Sequence, residues 1–131
     1  MFYLSEPLVL SLFVEDVSAW LSSNDIRCTP RVKFTGKTGY DHYFDFVVPA
    51  SRKRPERLIK AVSKPSKDMV EALAFAWIDT KEVRLENSML YSFLNDTDKM
   101  PAISAIEALR KYDIVPILWS ERKAALEELA A

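Results

Sequence analysis

Three ionisable residues lie where the surrounding sequence leaves little room for a charge. Asp45 sits within Phe44-Asp-Phe-Val-Val48, and Lys60 within Leu58-Ile-Lys-Ala-Val62. Glu71 is the only polar residue of Met69-Val-Glu-Ala-Leu-Ala-Phe-Ala-Trp-Ile78, a helical stretch apolar almost all round and so expected to be buried on most sides. A buried charge without a partner is expensive, so each should meet an opposite charge, a metal or a wet cleft. If the strands around Asp45 and Lys60 form a hairpin, residues whose numbers sum to about 105 face each other, which places these two side by side. Glu71, one turn into the following helix, is expected to reach the same place. Read as structure, the three form a buried ion pair or triad that fixes strand register. Read as chemistry, Asp45 and Glu71 hold Mg²⁺ through oxygen, and Lys60 orients water or steadies charge on a phosphate.

The other reactive side chains carry weaker signals. His42, between Asp41 and Tyr43, is the only histidine and is read as a hydrogen-bonding structural residue rather than a base or ligand. Gly36-Lys-Thr-Gly39 holds a Gly-Lys-Thr triplet but lacks the earlier glycine of a nucleotide loop and leads into a strand. Cys28 is the only cysteine, which excludes a disulfide framework and a cysteine-based zinc cluster and leaves an inert thiol. Trp20, Trp77 and Trp119 are assigned to the core. Ser120 lacks the local pattern of a nucleophile elbow.

Charge is unevenly spread. The net charge is −1, yet residues 1–25 carry −4, residues 26–67 carry +8 and residues 68–131 carry −5. The densest stretch is Ser51-Arg-Lys-Arg-Pro-Glu-Arg57, followed by Lys60, Lys64 and Lys67. Such a block is a candidate footprint for a DNA or RNA backbone, through Arg52, Lys53, Arg54, Arg57 and Lys64. The plainer reading is a solvated hairpin whose lysines guard a sheet edge.

These side chains must be positioned by a modest scaffold. The 131 residues, 49% of them hydrophobic, suit one domain with a real core. No apolar run is long enough to cross a bilayer, and no secretion signal is evident, so a cytoplasmic location without membrane contact is expected. Leu8, Val9, Leu12, Phe13, Val17, Trp20 and Leu21 recur at helical spacing, predicting an amphipathic helix over residues 6–22, with Ser5 as cap and Pro7 in the first turn. Strands are expected over residues 31–35, 40–48 and 57–62, separated by the Gly36–Gly39 turn and a polar loop over 49–55. Ser66 should cap a helix reaching about Ile78. A strand over 89–94, a helix from Pro101 through Lys111 and a strand over 114–118 follow, then a final helix over 121–129 capped by Ser120. The expected fold is α/β, a mixed sheet flanked by helices on both faces.

As a set, Gly36-Lys-Thr-Gly-Tyr-Asp-His-Tyr-Phe-Asp-Phe46, Pro55-Glu-Arg-Leu-Ile-Lys60, Phe75-Ala-Trp-Ile-Asp-Thr80, Leu94-Asn-Asp96 and Trp119-Ser120 resemble a bacterial family, domain of unknown function 1829. The resemblance spans nearly the whole chain. In that family the domain usually follows another uncharacterised one, so the chain is read as a stand-alone bacterial or phage relative or as a piece of a longer protein. The element order also resembles the restriction-endonuclease-like core of the PD-(D/E)xK nucleases. That resemblance implies an Asp on the second strand, matched by Asp45, and an acid-x-Lys on the third, where Lys60 matches and Leu58 stands in place of the acid. Some members supply that acid from the next helix, which here would be Glu71. The function expected is a nucleic-acid-associated domain, either a Mg²⁺-dependent nuclease or a degenerate one that only binds. The alternative is a protein-interaction module without catalysis, such as a mobile-element inhibitor of a host system or a homodimerising domain.

Overall fold

The computed structural model describes residues 6–130, with side chains described from residue 12 onward. Ser5, Leu8 and Val9, expected to cap and face the first helix, lie outside that description. Helix α1 (Glu6–Ser23) is followed by strands β1 (Thr29–Thr35), β2 (Asp41–Val48) and β3 (Arg57–Val62). Helix α2 (Lys67–Lys81), strand β4 (Met89–Leu94), helix α3 (Ile103–Lys111) and strand β5 (Ile114–Leu118) come next. A 3-10 segment (Trp119–Ala125) and helix α4 (Leu126–Ala130) complete the fold.

The five strands form one mixed sheet in the order β1-β2-β3-β4-β5. The first three pair antiparallel, because short loops join them; β3, β4 and β5 run parallel, because α2 and α3 are the crossovers. The central strands are buried on both faces, which is why they read as near-continuous apolar runs. On one face Ile59, Phe93 and Ile117 pack against Phe13, Val17 and Leu21 of α1 and Leu129 of α4. On the other, Leu58, Leu90, Leu94 and Ile114 pack against Val70, Leu73 and Trp77 of α2 and Leu109 of α3. No helix among the described residues is long and apolar enough to cross a membrane.

Two elements depart from expectation. Ser120 does not cap a single final helix. Its hydroxyl and backbone N–H both donate to Asp96, and the chain starts instead as a 3-10 segment with a non-helical residue at Glu121. Helix α2 is not buried on most sides: Phe75 and Ile78 are about half exposed, at 48% and 49%.

The long β1–β2 hairpin changes face halfway. Residues two apart in a strand normally share a face, yet Phe46 joins the α1 core and Phe44 the α2 core. The register is the same on either side, Pro30 opposite Phe46 and Val32 opposite Phe44. The switch therefore falls at the intervening pair, Arg31 and Asp45, and Arg31 adopts a left-handed φ of 50°.

Candidate functional site

Asp45 and Lys60 are neighbours, as the hairpin arithmetic requires. The β2–β3 ladder runs Val48–Arg57, Val47–Leu58 and Phe46–Ile59, and there it stops. The Asp45 carboxylate takes the ladder's next place: Oδ2 accepts the N–H of Ala61 at 2.7 Å. Lys60 Nζ donates to the Tyr43 carbonyl at 3.4 Å. The two side chains thus meet the cost of partial burial through backbone groups rather than through each other. No ion pair joins them among the described residues.

Glu71 is the correction. Its side chain is 64% exposed and its nearest cation is Lys67, one turn earlier, at 3.9 Å. Glu71, Phe75 and Ile78 are spaced i, i+4, i+7 and share the outer stripe of α2, so the acid faces away from the sheet. The Mg²⁺ reading needs two convergent oxygens, and the residues present do not fit it. Glu71 does not join Asp45, whose Oδ2 already holds an N–H. Among the described residues no group of three or more His, Cys, Asp or Glu is placed to hold a metal.

The basic footprint is divided. Arg52 and Lys53 are exposed in the β2–β3 loop, with Arg54 half-buried beside them. Lys64 is exposed beyond the opposite end of β3, and six residues of strand span about 20 Å. Arg57 belongs to neither end. It is 2% exposed, with Nη1 donating to the Glu128 carbonyl at 2.8 Å and Nη2 to the Pro49 carbonyl at 2.9 Å. As the first residue of β3 it points into the fold and ties α4 to the end of β2, so it is withdrawn from any phosphate contact.

A cluster that local sequence did not flag joins the hairpin tip to α2. The buried Asp79 receives Nε2 of His42 at 2.7 Å, the Thr38 hydroxyl at 2.7 Å and the Thr38 N–H at 2.8 Å. Lys37 N–H donates to the Asp79 carbonyl at 3.0 Å. A Cβ at Gly36 would overlap the Asp79 carboxylate, so only glycine admits this approach. Phe75 stands edge-on to His42, centroids 5.5 Å apart. Burial pulls the Asp79 carboxyl upward, but hydrogen bonds from Thr38 and His42 outweigh it and hold it below the usual range. In a nucleophilic site an Asp orients a His, which in turn takes the proton of a hydroxyl or thiol. Here, however, the hydroxyl at hand, Thr38, donates to the Asp instead of to the His, so nothing is activated. The cluster is a clasp. Asp96 forms a second one with Ser120, whose hydroxyl and N–H hold its carboxyl low.

Both clasps lie within a stretch of the chain that matches a known family. The profile of the family described as domain of unknown function DUF1829 matches residues 36–122, from Gly36 of the hairpin turn to Arg122 beyond the second clasp. No curated protein matches the chain. Among solved structures it is similar to the protein of unknown function AF1548, with a TM-score of 0.62 at 16% identity. That likeness covers 83% of this chain and 59% of the other, so this chain spans little more than half of that protein's length. At such identity the likeness speaks for fold alone. The profile covers well over half of the residues: the chain belongs to the DUF1829 family.

Proposed function

We propose that this chain is a nucleic-acid-binding domain that holds a polynucleotide backbone and does not cleave it through Asp45, Lys60 and Glu71. The observation that carries the reading is the β2–β3 loop, where Arg52 and Lys53 stand exposed without an acidic partner among the described residues. Cations exposed on a loop suit phosphate contact by counterion release. The resemblance to the restriction-endonuclease-like core supports a nucleic-acid role. The cleavage half of that resemblance is weakened by Leu58, buried where an acid would stand, and by the outward Glu71. The test is retention of labelled single- and double-stranded DNA and RNA at low and moderate salt, with and without Mg²⁺. Salt-sensitive retention without cleavage supports the reading; Mg²⁺-dependent cleavage lost on Asp45→Ala returns the chain to the nucleases.

One observation favours a second reading, a protein-interaction module. Phe75, Ile78 and Tyr112 line an open groove of about 880 Å³ between α2 and α3, and exposed apolar surface of that kind marks contact sites. The occupant considered is a second copy of the chain. Mass in solution tests it: a dimer that Ile78→Glu converts to monomer supports this reading, and a monomer at all concentrations removes it.

A further inference from the structure

We propose that the carboxyl ends of β3 and β4 form a pocket for a phosphomonoester. The pocket stands apart from the polynucleotide reading, since it lies at the other end of β3 from Arg52 and Lys53.

The topology makes the place. β3 and β4 are parallel neighbours, with Val62 opposite Leu94 where both strands end. α2 follows β3, α3 follows β4, and both pack on the same face of the sheet. Their N-termini therefore arrive together at the carboxyl edge, with unsatisfied N–H groups and the positive ends of two helix dipoles. Between them is a cavity of about 410 Å³.

The two helix starts are unlike. Ser66 caps α2, accepting the Met69 N–H at 3.2 Å. Ala102 at the start of α3 offers no side-chain acceptor. The N–H groups of Ala105 and Ile106 both turn back to the Ala102 carbonyl, which leaves those of Ile103 and Ser104 without an acceptor among the described residues; the cavity lining reaches to Ala102, so these two groups border it rather than line it.

A second observation is independent of the helices. Ser63 is 8% exposed and lines the pocket, and its hydroxyl makes no hydrogen bond among the described residues. It is not one of the fully enclosed unpaired polar atoms, so it keeps access to solvent, and Ser63 lines the pocket. Asn95, also in the lining, has its Oδ1 fixed by the Thr97 N–H at 3.1 Å and hydroxyl at 2.7 Å, which leaves its amide NH₂ as a donor. Lys64 and Lys99 add two exposed ammonium groups without acidic partners among the described residues, against one lining acid, Asp98. The polar inventory is thus rich in donors and poor in acceptors, the pattern an oxyanion completes. Pro65, Met100 and Pro101 supply apolar wall beside it, and the volume exceeds a bare phosphate, so the ester's carbon body has a place.

The phosphate could sit on a small free molecule or on the 5′ end of a polynucleotide, and the experiment separates the two. Calorimetric titrations at constant ionic strength would use ribose 5-phosphate, then a trinucleotide with a 5′-phosphate and the same trinucleotide with a 5′-hydroxyl. The expected result is saturable binding of ribose 5-phosphate, weakened about tenfold or more by Ser63→Ala and by Lys64→Ala with Lys99→Ala. Arg52→Ala with Lys53→Ala should leave it unchanged, which distinguishes this pocket from the loop. Tighter binding of the 5′-phosphorylated trinucleotide than of ribose 5-phosphate names a polynucleotide end; equal or weaker binding names a free phosphomonoester. Both lysines are exposed, so the double variant keeps the fold. Absence of saturable binding by any phosphorylated probe overturns the proposal. So does binding indifferent to both the Ser63 and the lysine variants.

Discussion

The Asp45 carboxylate accepts the backbone N–H of Ala61 at 2.7 Å, and by doing so ends the β2–β3 ladder where the β1–β2 hairpin changes face. An acid that sequence suggests for metal binding thus serves as a substitute backbone carbonyl. Asp45→Ala leaves the Ala61 N–H without its acceptor and should cost about 1–3 kcal/mol in urea unfolding. Asp45→Asn keeps an acceptor oxygen and should cost clearly less. Equal losses in the two variants would contradict the hydrogen-bond account.

The Asp79 clasp gives a pH dependence with a definite sign. The folded carboxyl titrates below its ordinary value, so the clasp's contribution is complete above an unfolded pKa of about 3.9 and is lost as pH falls below it. Asp79→Asn should lower the melting temperature at neutral pH, and the gap to wild type should narrow in that acid window. A gap that stays constant or widens there would mean that the charge of Asp79 is irrelevant. Gly36→Ala presses on the same carboxylate and should cost about 1–3 kcal/mol by crowding.

Arg57 is expected to matter for stability and not for binding. Arg57→Met removes two hydrogen bonds from a charged donor to the Pro49 and Glu128 carbonyls and should destabilise by about 2–3 kcal/mol. Polynucleotide retention by the folded variant should be unchanged. A stable variant with weakened retention would restore Arg57 to the basic footprint.

Glu71 should be nearly silent. Its contact with Lys67 is an exposed i, i+4 pair, so Glu71→Gln should change stability by less than about 0.5 kcal/mol. Any activity toward nucleic acid should survive it. Loss of an activity in this variant alone would show that the outer face of α2 takes part.

The scaffold was legible where a rule is local. β3, β4 and β5 have the expected bounds because double-sided burial writes near-continuous apolar runs, and the Asp45–Lys60 adjacency follows from counting across a loop. Glu71 escapes such a rule: a helix apolar all round implies burial, whereas Phe75 and Ile78 line an open groove. Composition groups Arg57 with Arg52–Arg54, although its place at the start of a strand buried on both faces turns it inward to carbonyls at residues 49 and 128. Asp79 left no local trace, since its partners lie 37 and 41 residues away and meet it only after the hairpin tip folds onto α2. Gly36 and His42 were visible as motif residues, but nothing in the spacing said that they share one carboxylate.

The most direct test of the central claim is fluorescence anisotropy of labelled DNA and RNA, titrated with wild type and with Arg52→Ala/Lys53→Ala from roughly 50 to 200 mM salt. The account predicts salt-sensitive binding by wild type, a shallower salt dependence in the double variant by about one unit of slope per cation removed, and intact strands in Mg²⁺. Absence of binding, binding unaffected by the double substitution, or cleavage that depends on Asp45 would contradict it.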